Sequence, residues 1–180
     1  SKIKFCFFAI EPNWRHFRLK LYQKIDYVFC FGLQKLDTDI EMKYLSFKSI
    51  EKKCQGANLF EQNGNINLSE IIPVLDTDYF CDNILKKILN EYPDDNMPKI
   101  ILRLNCEGTE DDIIYSFNKK YSKLLLCVLG SLDDVRKKKG LQKAEILDQY
   151  LIKNSIDFSR FSSNMNTWPK TIKFLEDKLK

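Results

Sequence analysis

Carboxylates close several of the apolar runs of this chain. Asp76 and Asp78 follow Ile72-Pro73-Val74-Leu75, Glu107 follows the run at 99–105, and Asp133 and Asp134 follow the run at 123–130. If the fold brings them together, these acids can hold one or two Mg²⁺ ions, which take a few carboxylates and fill their other positions with water and phosphate oxygens. The metal then polarises a phosphodiester and activates a water. On this alternative reading Asp76, Glu107 and Asp133 are catalytic, Asp78 and Asp134 complete the metal set, and the protein is a Mg²⁺-dependent nuclease or phosphodiesterase. The same acids have a simpler use. An acid in the first turn of a helix complements the helix dipole by roughly 0.3–1 kcal/mol, and an oxygen at the cap satisfies an orphan amide. Capping accounts for Asp78, Asp112, Asp133 and Asp134. Asp76, which closes an apolar strand, is the hardest to read that way.

A second set of residues lies in the same loops. Asn105, Gly108 and Thr109 follow one run, and Gly130 and Ser131 follow another. In open parallel sheets, loops between strand ends and helix starts hold ligands, so these five are the candidate ligand-binding residues. Neither GxGxxG nor GxxxxGK[ST] occurs, and acids at these helix starts repel a phosphate. Cys106 can serve as a nucleophile only with His16, the sole imidazole; a strand-end thiol is the plainer reading. Phe158, Phe161 and Trp168 with Arg160 and Lys170 can stack bases, or simply dock a terminal helix. Arg136, Lys137, Lys138 and Lys139 form the one dense basic run; it reads as a solvated helix start, with contact to nucleic acid as the sharper alternative. Ile72–Asp78 resembles the first acidic strand of PIN-type ribonucleases. That family places its first acid after its first strand, whereas roughly seventy residues precede Asp76 here, so the resemblance assigns no family.

The elements that must position these residues are legible as alternating patterns. Apolar runs at 3–10, 25–33, 71–75, 99–105, 123–130 and 156–161 read as strands. Between them, Ile40/Tyr44/Phe47/Ile50/Cys54, Phe80/Ile84/Ile88/Tyr92, Ile113/Phe117/Tyr121, Leu141/Ala144/Leu147/Leu151 and Ile172/Leu175/Leu179 repeat at helical spacing. Trp14, Phe17 and Leu21 suggest a short early helix. Thr38-Asp39-Ile40-Glu41 matches a capping box, and Thr109–Asp112 and Ser131–Asp134 are shorter-armed variants. Several runs are apolar at every position, as strands covered on both faces are. Alternation of such strands with helices predicts an α/β fold, Rossmann-like or flavodoxin-like, with a mainly parallel central sheet of five or six strands and helices on both faces. Residues 1–180 read as a single domain, with a loop or hairpin excursion at 55–70 around Asn63-Gly64 and a connector at 93–98.

Composition bounds the function. The chain has 180 residues, 44% apolar and 30% charged, which supports a packed core and excludes disordered and collagen-like classes. A net charge of +4 is too small for a dedicated nucleic-acid domain. Six cysteines without a CxxC pair point to thiols in a reducing compartment, with neither a disulfide framework nor a zinc site. No apolar run approaches the ~20 residues of a membrane span, and the first run lacks a signal-peptide cleavage site. The expectation is a cytoplasmic recognition or regulatory module that uses no cofactor. It binds a nucleotide-like ligand or a protein partner at the C-terminal edge of the sheet.

Overall fold

A computed structural model describes residues 4–13, 24–49, 68–92, 98–161 and 167–180. The expected early helix with His16, most of the 55–70 excursion, Cys54, residues 93–97 of the connector and Ser162–Asn164 lie outside the described residues. The chain divides into two compact units, Ser1–Thr77 and Asp78–Lys180.

In the first unit, β1 (Phe8–Ile10) and β2 (Tyr27–Phe29) form a two-stranded parallel sheet, with Phe8 opposite Tyr27 and Ile10 opposite Phe29. The paired rings of Phe8 and Tyr27 stack at 4.8 Å. Backbone bonds from Tyr27 to Phe7 and from Glu11 to Phe29 extend the ladder at both ends. A second sheet has the order β3-β5-β4, built from β3 (Gly32–Gln34), β4 (Met42–Ser49) and β5 (Leu68–Asp76). It is mixed: β3 runs parallel to β5 and β4 antiparallel. Pro73 has no N–H to give a neighbour, and it sits one residue before the stretch of β5 that pairs with β3. Alternation along β5 sends Ile72 and Val74 to a core with Leu36, Ile40 and Leu45. Ile71, on the opposite face with Met42 and Tyr44 across the ladder, is exposed as they are.

The helix expected over 40–54 is replaced by β4 as far as Ser49. Tyr44-Leu45-Ser46-Phe47-Lys48-Ser49 alternates as well as it repeats at helical spacing, and eight paired positions along β5 decide the choice. The capping box at Thr38–Glu41 is a turn instead, with Asp39 at φ 69°, which no helix start accepts.

The second unit is a run of parallel strands and helices. A helix opens with α1 (Thr77–Phe80), passes through a π-helical turn (Cys81–Leu85) and continues as α2 (Lys86–Leu89). Then follow β6 (Ile100–Leu104), α3 (Glu110–Tyr121), β7 (Leu125–Gly130), α4 (Asp133–Lys139), α5 (Leu141–Lys153), β8 (Phe158–Arg160) and α6 (Trp168–Lys178). The sheet has the order β6-β7-β8 and is parallel throughout. Cys127 and Leu129 of β7 pack with Phe161, Trp168, Phe174 and Leu175, so α6 covers that face. Val128 points the other way and is fully buried, as are Ile114 of α3, Val135 of α4 and Leu151 of α5.

The α/β class stands, but the single central sheet does not. Three small sheets of two, three and three strands replace a five- or six-stranded parallel one, and one of the three is mixed. The apolar run at 25–33 shows why. It is broken at Cys30-Phe31 into two short strands, β2 and β3, that serve different sheets. Apolarity shows that a segment is a strand but not which strand it pairs with. Among the described residues no helix is long and apolar enough to cross a membrane.

Candidate functional site

The strand-end rim of β6-β7-β8 holds most of the residues singled out from the sequence. After Leu104 the chain turns back through Glu107 and Gly108, both at positive φ (57° and 117°). Glycine is the residue that takes the second of these without strain. The turn aims two backbone N–H groups at one point, the kind of concavity that binds anions. The point is occupied from within the chain. Oε1 of Glu110 accepts the amide of Cys106 at 2.7 Å, and Oε2 accepts that of Gly108 at 2.9 Å. Glu110 is fully buried. Burial raises its carboxyl above the usual range and nearby Asp134 adds to this, while the two amides work in the opposite direction. Burial beside Glu110 also pushes the Cys106 thiol up to about 12, so at neutral pH it carries no thiolate.

The second loop is closed in a related way. A Cβ added at Gly130 would lie 2.9 Å from Leu132 Cδ2 and 3.7 Å from Leu104 Cβ. The glycine thus gives room for buried Leu132 to fold over the strand ends. The Ser131 hydroxyl donates to Asp134 Oδ2 at 2.8 Å, and Lys137 donates to Oδ1 at 2.9 Å. Asp111 and Asp112, in the first turn of α3, are both paired with Lys139, at 2.6 and 3.3 Å. Within the basic run 136–139, Lys137 and Lys139 are therefore engaged with acids of the same unit. The helix starts at Thr109 and Leu132 carry no side-chain cap bond. These first-turn acids act through lysine pairing and, at Glu110, through the loop amides.

The remaining acids are dispersed. Asp76 ends β5 in the other unit, where it accepts the Leu36 amide at 2.9 Å and Lys35 Nζ at 3.0 Å. Asp78 pairs with Lys119 at 3.5 Å. Asp133 is 61% exposed, with its carboxylate 3.6 Å from Arg160, which also bonds Asp148. Asp76 closes the mixed sheet, whereas Glu107, Asp133 and Asp134 follow strands of the parallel one, so one sheet edge does not gather them. Among the described residues no three His, Cys, Asp or Glu side chains converge as a metal site requires. Asn105 is exposed at the end of β6, while Gly108 and Thr109 are buried. A cleft of about 90 Å³ opens beside the rim, lined by Leu132, Asp133, Arg136, Asp148 and Arg160 among others. Small-molecule sites generally measure several hundred cubic ångströms.

Glu110 and Arg103 were not singled out from the sequence. Glu110 had a signal, a glycine and an acid two residues apart at a loop-to-helix junction. Arg103 had none, because its partners Phe161 and Trp168 are far along the chain. Comparison with known proteins finds no matching family model, no matching curated protein and no matching solved structure.

Proposed function

We propose that this chain is a cytoplasmic recognition module that binds a protein partner across the strand-end rim of β6-β7-β8, with Asn105, Ser131 and the loops that carry them as its contact surface. The observation that carries this reading is the internal occupancy of the rim. The amides that would cradle a phosphate are taken by Glu110, Asp134 is bound by Ser131 and Lys137, and Asp76 by Lys35 and the Leu36 amide. A rim with its polar groups already satisfied is rigid and costs little to desolvate, which suits a protein surface better than a nucleotide. Cys6, Cys30, Cys81, Cys106 and Cys127 carry no disulfide, in keeping with a reducing compartment.

Two measurements test the proposal. Calorimetric titration with nucleoside triphosphates, Mg²⁺ and Mn²⁺, together with cleavage assays on RNA and single-stranded DNA, should give no binding and no cleavage. Crosslinking of the full chain in a cell extract, read by mass spectrometry, should place intermolecular crosslinks at 105–109 and 131–133. Saturable nucleotide binding, metal-dependent cleavage, or crosslinks confined to other surfaces would overturn it.

A further inference from the structure

Arg103 is the penultimate residue of β6, an edge strand, and its side chain is exposed. Its guanidinium carbon lies 5.2 Å from the ring centroid of Phe161 and 5.7 Å from that of Trp168. The two rings stack on each other at 5.2 Å with an interplanar angle of 16° and belong to the apolar cluster under α6. The aromatic pair is therefore a fixed platform and the arginine rests on it. Phe161 is buried in that cluster, and the guanidinium lies against both rings of the pair. In the same unit Lys119, Lys120, Lys137, Lys139, Arg160 and Lys178 each pair with a carboxylate. Arg103 pairs with none among the described residues, as is also true of Lys86, Lys99 and Lys170, and its contact with two stacked rings sets it apart from those three. A guanidinium stacked over aromatic rings keeps the N–H donors at its edge, in the planar fork that fits two oxygens of an oxyanion. Because the platform holds it in place, less rotamer freedom is lost when a ligand arrives.

The geometry points to Arg103, on its Phe161–Trp168 platform, as the anchor for an acidic segment of a protein partner, with a carboxylate or phosphoryl oxyanion received by the guanidinium edge. This rests on the protein-binding reading above and adds to it the chemistry of the partner. A phosphate on a peptide and a glutamate side chain present the same oxyanion, and the experiment separates them.

Trp168 provides the readout, since the chain has only one other tryptophan, Trp14, which W14F removes. Full-length W14F protein is titrated with a glutamate-rich peptide, its glutamine counterpart, a phosphoserine version and inorganic phosphate, following Trp168 emission. The expected result is saturable change with the glutamate or phosphoserine peptide and none with the glutamine peptide. R103Q should weaken the binding at least tenfold, while R103K, which keeps the charge and loses the fork, should fall between. Phosphoserine binding without glutamate binding identifies the oxyanion as phosphoryl, and response to free phosphate alone would overturn the peptide assignment. Equal binding by R103Q with unchanged circular dichroism, or no binding by either acidic peptide, would also overturn it. In that case rim crosslinks to a partner would leave the broader reading standing, and their absence would remove both.

Discussion

The Glu110 carboxylate accepts the amide of Gly108, two residues before it, at 2.9 Å, so the first residue of α3 is bonded to the loop that leads into the helix. With the second oxygen on Cys106, this one side chain holds the 105–109 turn in shape. A carboxylate can do this because both of its oxygens accept.

Glu110→Gln keeps the size and removes one acceptor. The glutamine amide can satisfy Cys106 or Gly108 but must turn its own NH₂ toward the other donor. A buried unmet donor costs about 1–3 kcal/mol, and urea denaturation should show a loss of that order. Unchanged stability would mean that the loop is held by other groups.

The same residue sets a pH dependence. Its carboxyl is raised in the folded protein from an ordinary value of 4.5, chiefly by burial. Between the unfolded and folded values the native state binds the extra proton, so stability from this group falls as pH rises through that window and is regained on acidification. The unfolding free energy of the parent should therefore gain on that of Glu110→Gln as pH is lowered from neutrality. A difference constant with pH would contradict the assignment.

Gly130→Ala should cost about 1–3 kcal/mol through overpacking, because the new methyl meets Leu132 at 2.9 Å. Leu132→Ala alone should cost about 2–5 kcal/mol as a cavity. Since the first loss comes from a clash that the second removes, the double variant should lose less than the sum, with a coupling of about 0.5–3 kcal/mol. Additive losses in thermal or urea melts would rule out the contact.

Asp133→Asn and Asp76→Asn separate the two readings of the acids. Asp133 is exposed, so its change should stay within about 0.5 kcal/mol. Asp76 is buried and receives the Leu36 amide and Lys35, so its neutralisation should cost about 1–3 kcal/mol. A gain of stability in both variants would signal mutual repulsion of converging carboxylates, the mark of an empty metal site.

What could be read from the residues was local. The stripes of α3, α5 and α6 and the runs of β6 and β7 depend on neighbours within a turn or a strand, and Ile113/Phe117 or Cys127-Val128-Leu129 declare them. Sheet assembly was not legible, because the pairing of Gln34 with Asp76 and of Met42 with Leu75 is settled between distant segments. Tyr44 and Phe47 fit both periods, so only their partner strand could decide. The strand-end residues were found as a set, and what they do was not. Asp134 pairs with Lys137 one turn along α4, but Asp111 and Asp112 spend their charge on Lys139, a pairing that depends on how α3 and α4 meet.

The strand order of the parallel sheet has a kinetic consequence. In β6-β7-β8 each strand pairs with the next one along the chain, across α3 in the first connection and across α4 and α5 in the second. The mixed sheet instead needs β5 to return across the chain to β3, as the 41-residue separation of Lys35 and Asp76 shows. Loop-closure entropy must be met before distant contacts give anything back, and folding slows as contacts become less local. Pulse-labelled hydrogen exchange during refolding should therefore protect the amides of β6 and β7 before those of β3 and β5.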